Sequence, residues 1–380
     1  MSSNIIKQIF WQDSPFPELY EEHISTPLCE DLIKKNEKVG LIIIHHLHEA
    51  GLSFIRSLAE KYKIHKIIGI PYSSIDTVTN DLKVDFDVVV PEKLSDISSL
   101  VKQAVLDAKT NVIIEEIGAY TADVADFLDK QANVLGIVED THQGHWRWQK
   151  VNLKRLPVLS VAQSKIKRIE DNFVAKSIID GYKYFLKRNN FLVLSKQKVL
   201  VVGFGNIGKQ VAKYLKPLVK DLAVFDKDPI KLLKASVDYK VVKNFSDFDA
   251  IIGVTGNPDH AIGQNELKHI SSHTFLVSGS SKRVEFDLSD FTQLSNNIKK
   301  YGDYDEYKFD NKTIIVVNAG EPINFRYSVV PSKMLDLVYG GLTYCINKLG
   351  NGFDQPGLHN LNDQEEHEIV SRYNKIYKTI

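Results

Sequence analysis

Residues 198–215, "KVLVVGFGNIGKQVAKYL", decide the architecture. A nearly apolar run of strand length, Lys198 to Val202, meets Gly203, Gly205 and Gly208, and an amphipathic stretch to Leu215 follows at once. The first glycine permits a tight turn, the second lets a pyrophosphate approach the backbone, and the third lets helix and strand pack closely. The start of the helix adds free N–H groups and a partial positive charge. The next apolar run, "DLAVF", ends at Asp226, about twenty residues on, where a carboxylate grips a ribose hydroxyl. Such an acid favours NAD over NADP, whose extra phosphate it repels. The reading is a Rossmann-type domain that takes NAD as cofactor on Gly203, Gly205, Asn206, Ile207, Gly208 and Asp226. Further on, "IIGVTGNPDHAI" supplies another strand and turn, with Thr255 and Gly256 beside the cofactor.

Upstream, strands and helices alternate in the same way. "VGLIIIHH", "HKIIGIPYSS", "DFDVVVP", "NVIIEEIG" and "VLGIVEDTHQG" read as strands, with "EAGLSFIRSLAEKY", "DISSLVKQAVLDA" and "TADVADFLDKQ" as helices between them. That order implies a mainly parallel sheet covered on both faces. Polar residues collect at the carboxyl ends of these strands, where such sheets bind ligands: His45 and His46, Ser73 and Ser74, Glu115 and Glu116, Glu139 and Asp140. A long connecting helix is expected from about Asp171 to Phe191, and "SKMLDLVYGGLTYCINKL" is a helix that returns to the first domain. The expectation is therefore an α/β chain of two domains. Residues 1–180, completed by 331–380, form an α/β substrate domain with a parallel sheet, and 190–330 form the Rossmann domain. The last thirty residues are polar and carry little signal.

The 380 residues suit two domains rather than one core. Forty-eight basic residues balance 48 acidic ones, so no net charge draws the chain to nucleic acid or an anionic membrane. Cys29 and Cys345 stand far apart in no metal-binding spacing, which fits a reducing, cytoplasmic setting. The start, "MSSNIIKQIFWQDSPF", lacks the basic and apolar segments of a signal peptide. In "HHLHE", His45, His46, His48 and Glu49 alternate about a strand end and do not converge, so no metal site is expected. Trp146 and Trp148 in "HWRW" are expected to cover a domain face, and "YGDYDEYKF" reads as a surface loop or hairpin.

One further stretch, "SKIKRIEDNFV" at 164–174, sets Lys167 and Asp171 four apart, within reach of each other on a helix. Taken alone, this is an ordinary surface pair worth about 0.3–0.5 kcal/mol. However, "SKIKRIEDN" resembles the segment that precedes the cofactor domain of adenosylhomocysteinases. "LHEAGLSFIRSLAE", "EEIG", "VEDTHQG", "DNFVAKSIIDG", "VEFD" and "NAGEPINF" follow that family's order. The resemblance spans about Gly40 to Leu349. It implies an NAD-dependent enzyme that oxidises a nucleoside 3′-hydroxyl transiently, so that a thioether can be eliminated and water added. It also implies a small nucleoside-like substrate and assembly into a homo-oligomer.

By position, the resemblance makes Lys167, Asp171 and His45 the catalytic groups. It places Glu116, Asp140 and Ser74 at the substrate, and Asn172, Asn324 and Thr141 at the cofactor. Several family positions differ here: Ala162, Lys176, His142, Ser280 to Lys282, and Val330 stand where the family has other residues. The differences fall on the groups that recognise the substrate. Two alternatives therefore stay open: an NAD-dependent oxidoreductase of the same fold acting on another nucleoside or sugar, and a non-catalytic NAD-binding regulator.

Overall fold

The structure is a computed structural model and describes residues 26–257, 260–280, 283–327 and 330–378. The chain divides into two compact units. One, here the inserted unit, is Asp171–Val330; the other, the split unit, runs to Glu170 and resumes at Pro331.

The split unit opens with helix α1 (Pro27–Leu32) and strand β1 (Val39–His45). Helix α2 (Glu49–Ala59) and strands β2 (Lys63–Gly69), β3 (Val88–Val89), β4 (Asn111–Glu116) and β5 (Val134–Glu139) follow. Helix α3 (His142–Trp148) and strand β6 (Pro157–Ser160) complete this first part. Val39 to His45 is buried throughout, as a strand covered on both faces requires. The segment expected to be a helix at 121–131 is shorter than its pattern suggests: a 3-10 turn, Tyr120–Val124, leads into the four-residue helix Ala125–Leu128. Ala119, left-handed at φ 51°, redirects the chain there.

Helix α4 (Lys165–Arg188) starts in the split unit and continues into the inserted one. It is no bare connector. Ala175, Ile178, Ile179, Tyr182, Phe185 and Leu186, spaced three and four apart, all lie in the inserted unit's core. That unit then builds β7 (Lys198–Val202), helix α5 (Asn206–Leu215), β8 (Asp221–Phe225), β9 (Lys240–Val241), β10 (Ala250–Gly253) and β11 (Thr274–Ser278). Strands β12 (Asn297–Lys300), β13 (Tyr304–Lys308) and β14 (Thr313–Val317) end its sheet. Its order is β12-β13-β14-β11-β10-β7-β8-β9, parallel except that β13 pairs antiparallel with both β12 and β14. "YGDYDEYKF" thus supplies β13.

The chain then returns to the split unit through α6 (Ser332–Gly350), β15 (Gly357–Asn360) and α7 (Asp363–Tyr377). β15 pairs with β6 and completes a parallel sheet ordered β15-β6-β5-β4-β1-β2-β3. The polar last thirty residues are therefore structural. Asn362 caps α7 with a reciprocal bond from Glu365, a capping box that the composition concealed.

Asp336 on α6 ties this return together. Its carboxylate accepts from Leu28 N at 2.9 Å and Cys29 N at 3.4 Å, closing the start of α1, and from Tyr377 Oη of α7 at 2.7 Å. Burial nonetheless pushes its pKa up from 3.8 to about 6. The folded state therefore binds this proton more tightly than the unfolded chain. The group's stabilising contribution is complete below about pH 4 and is lost as pH rises through about 6. Asp336→Asn keeps an oxygen for Leu28 and Tyr377 but removes the titration. Urea denaturation from pH 4 to 7.5 should show the variant gaining on the parent by about 1–3 kcal/mol as pH rises. A constant difference across that range would remove Asp336 as the source.

Candidate active site and cofactor turn

Alternation along the strands of the split unit sorts its acids. On β4, Glu115 faces the side of the sheet that carries His45, while Glu116 faces the opposite core with Ile114. Glu116, expected at the sugar, is committed internally. Both its oxygens are used, by Thr121 N at 3.0 Å, Thr121 Oγ1 at 2.6 Å and Trp148 Nε1 at 3.0 Å. Glu139 shares that side and accepts from Gly118 N, Ala119 N, Thr141 N and Thr141 Oγ1. Thr141, expected at the cofactor, caps α3 by accepting from Gly144 N at 3.0 Å. Ser74 donates to Ile70 O at 2.9 Å. Trp148 is buried and Trp146 exposed, so only the second covers a face.

The other side gathers the charged cluster. The Lys167 ammonium lies 3.0 and 3.1 Å from the two oxygens of Asp140 and 2.5 Å from Glu170. The expected partner four residues on, Asp171, is the first residue of the inserted unit, buried at 4% exposure. Lys167 instead pairs across space and with the acid three residues on. Burial pulls its pKa down, but Asp140 and Glu170 outweigh that pull and leave it raised. The side chain is a fixed cation. His142 beside it is driven down to about 4 by burial and by Lys167, so it stays neutral.

His45, at the end of β1, is fully buried, with Nδ1 3.3 Å from Glu115 Oε2. Burial raises the Glu115 pKa, and His45 opposes that rise. Their approach is an ion-pair distance only: among the described residues neither ring nitrogen of His45 and neither oxygen of Glu115 makes a hydrogen bond. Its ring contacts Phe54 at 5.3 Å and Tyr339 at 5.6 Å between centroids. His48 accepts from Gly51 N and caps α2. His45, Glu115, Asp140, Glu170 and Lys167 thus come together within one unit. The sequence marks Glu115 only as one of the polar strand ends and Glu170 not at all; strand alternation and helix spacing are the signals that pick them out.

The inserted unit carries the glycine turn. Gly203 has φ +102°, and a Cβ there would sit 2.9 Å from Val254 O. A Cβ on Gly208 would lie 1.9 Å from Gly203 O, so nothing larger fits. Gly205 has open space within 4 Å, which suits a pyrophosphate. Asn206 and Ile207 begin α5. Asp226 accepts from Phe204 N at 2.6 Å and Asp228 N at 2.8 Å, which locks the acid to the turn.

Glu285, of the "VEFD" stretch, organises the second loop. It accepts from Thr255 N and Gly256 N, both at 2.8 Å, from Thr255 Oγ1, and from Ser280 Oγ. Asn172 accepts from Tyr214 Oη at 3.3 Å. Asn324 is 9% exposed, with an amide oxygen that has no protein partner among the described residues. An orphaned buried amide and a turn that only glycine can form both fit a bound dinucleotide. Gly203, Gly205, Gly208, Asp226, Thr255, Gly256 and Asn324 are the residues that would hold it.

The two glycines separate folding from binding. Gly205→Ala, with free space at its Cβ, should keep the thermal midpoint of the cofactor-free protein and lower NAD affinity at least ~10-fold by calorimetry. Gly208→Ala should lower the midpoint itself. Equal NAD affinity in Gly205→Ala would place the pyrophosphate elsewhere.

Comparison with known proteins gives the following similarities. The model of the S-adenosyl-L-homocysteine hydrolase NAD binding domain matches residues 172–330. An adenosylhomocysteinase of Nostoc sp. is 26% identical over 318 residues, 79% of this chain and 74% of its own length. An S-inosyl-L-homocysteine hydrolase of Methanosarcina mazei is 25% identical over 271 residues, covering 67% and 64%. Among solved structures, a phosphoglycerate oxidoreductase from Vibrio cholerae aligns at a TM-score of 0.48 and 11% identity, over 82% of this chain and 99% of its own. Residues 172–330 match an NAD-binding domain of the S-adenosyl-L-homocysteine hydrolase type, and over most of its length the chain is similar to adenosylhomocysteinases at about 25% identity.

Proposed function

We propose that this protein is an NAD-dependent hydrolase of a nucleoside thioether, working through transient oxidation of the ribose 3′-hydroxyl. One observation carries the reading. A buried ammonium, Lys167, is clamped by Asp140 and Glu170 on the same side of the sheet as the buried His45–Glu115 pair. Such a set is costly to bury and is retained in a chain that binds NAD.

A thioether on a saturated carbon does not hydrolyse readily, because thiolate leaves slowly without a neighbouring carbanion. NAD, when bound, supplies a reversible two-electron oxidant for the 3′-hydroxyl. A 3′-ketone makes the C4′ proton acidic; its removal expels thiolate from C5′, water then adds at C5′ with a proton returning to C4′, and the ketone regains the same two electrons, so no net oxidation remains. The chain must therefore handle three protons, at O3′, at C4′ and at the 5′ side.

Lys167 enters as a cation whose proton is held by two acids. Its role is to stabilise negative charge developing on a sugar oxygen, in a site where burial strengthens that effect. Asp171, next on the same helix, is the carboxylate base. His45, with Nδ1 3.3 Å from Glu115, is the group that protonates the leaving sulfur and deprotonates water. Glu116 has no direct part in this reading, because its oxygens are already used.

The first substrates to offer are S-adenosyl- and S-inosyl-homocysteine, the compounds named by the relatives. With NAD-loaded protein, thiol release and the NADH absorbance band are followed together. Lys167→Met should cut both by roughly 100-fold or more. Because it removes the ammonium that Asp140 and Glu170 share, it should also lower the thermal midpoint. Undiminished turnover in that variant would sink the assignment.

A further inference from the structure

The split unit receives one more side chain at its charged cluster, from the part of the chain that follows the inserted unit. Helix α6 is held against α1 along one stripe. Asp336 bonds Leu28 N and Cys29 N, a Cβ on Gly340 would lie 2.4 Å from Leu28 Cδ2, and Thr343 Oγ1 donates to Cys29 Sγ at 3.3 Å. Residues 336, 340 and 343 therefore fix both the rotation and the height of the helix.

Tyr339, within that stripe, is placed accordingly. Its ring stacks on Phe54 with centroids 4.4 Å apart and planes 12° from parallel, and tilts over His45 at 5.6 Å. It is 4% exposed. Burial first, then Asp140, Glu115 and Glu170, raise its pKa well above the usual phenol value. The phenol is a neutral donor at any working pH, in the field of the carboxylates that surround Lys167. The stack on Phe54 and His45 needs only a ring, and phenylalanine would complete it. The hydroxyl is the part that packing leaves unexplained.

We propose that Tyr339 is a substrate-binding residue of this site, donating its O–H to an oxygen or sulfur on the 5′ side of the sugar, next to His45. This rests on the hydrolase reading above and adds to it a donor brought by α6. With a hydrogen bond from the phenol, charge developing at the 5′ side during elimination and hydration is shared between Tyr339 and His45. His45 then needs to carry only the proton that moves.

The experiment compares NAD-loaded parent and Tyr339→Phe on S-adenosyl- and S-inosyl-homocysteine. It records thiol release, NAD content and the thermal midpoint. The Phe variant should keep its NAD content and midpoint and lose roughly 10- to 100-fold in kcat/KM, with most of the loss in kcat. A purely packing role would leave kcat/KM unchanged, and that result overturns the proposal while the hydrolase reading stands. Loss of NAD or of the midpoint in the Phe variant would make the hydroxyl structural and also overturn it. A parent protein that releases no thiol from either compound would remove the hydrolase reading, and Tyr339's role with it.

Discussion

The ammonium of Lys167, held between Asp140 and Glu170 away from solvent, is the constraint around which the split unit is arranged. Moving three charges out of water costs several kcal/mol each, and their mutual attraction repays this only with good geometry. The geometry here is supplied from two directions. Asp140 leaves the end of β5, while Lys167 and Glu170 share the first turns of α4. Hydrophobic residues of similar size would stabilise the fold as well or better. The presence of such a cluster is therefore an argument from chemistry rather than stability.

Much of the surrounding structure keeps Asp140 in place. The residue before it, Glu139, gathers donors from Gly118, Ala119 and Thr141, so the strand end cannot twist. Thr141 then starts α3, and a Cβ on Gly144 would lie 2.2 Å from the Glu139 carboxyl, so α3 approaches as closely as it can. Alternation along the strand does the remaining sorting. The acid on one side is part of the scaffold, and the next residue is free to face the cluster. Two adjacent acids, with almost the same local sequence, thus serve opposite purposes at both β4 and β5.

This sorting explains what could be read from the sequence and what could not. The glycine turn was legible because each glycine has a local steric cause: Gly203 by its φ, Gly208 by its contact with Gly203 O, Gly205 by the space beside it. The return of α6 was legible from its apolar spacing, but Tyr339 was not. Its neighbours His45 and Phe54 lie nearly three hundred residues earlier, and nothing local marks it. The pairing of Lys167 was misjudged for a similar reason. A helix allows partners at three or four residues, and an acid 27 residues earlier, Asp140, competes with both. The resemblance alone puts Glu116 at the sugar, and position along the chain fixes a strand end but not which face of the sheet a side chain takes. Glu285 was quoted within its motif without a role, since its five bonds all go to residues whose nearness depends on the sheet.

A common device runs through both units. At two strand ends and in one loop a buried carboxylate accepts from backbone N–H groups of a neighbouring loop: Glu139 from Gly118 and Ala119, Asp226 from Phe204, and the loop residue Glu285 from Thr255 and Gly256. A loop held only by its own turn would sample several conformations, and ligand binding would have to stop that motion at an entropic cost. A carboxylate with several such bonds removes the motion during folding instead. Each is also expensive to leave unpaired, because a lost donor exposes a buried charge to low dielectric. The loops at the carboxyl ends of both sheets are therefore fixed before any ligand arrives. In the proposed function, NAD affinity would then depend on local features of the glycine turn, and reactivity on the side chains facing the Lys167 cluster.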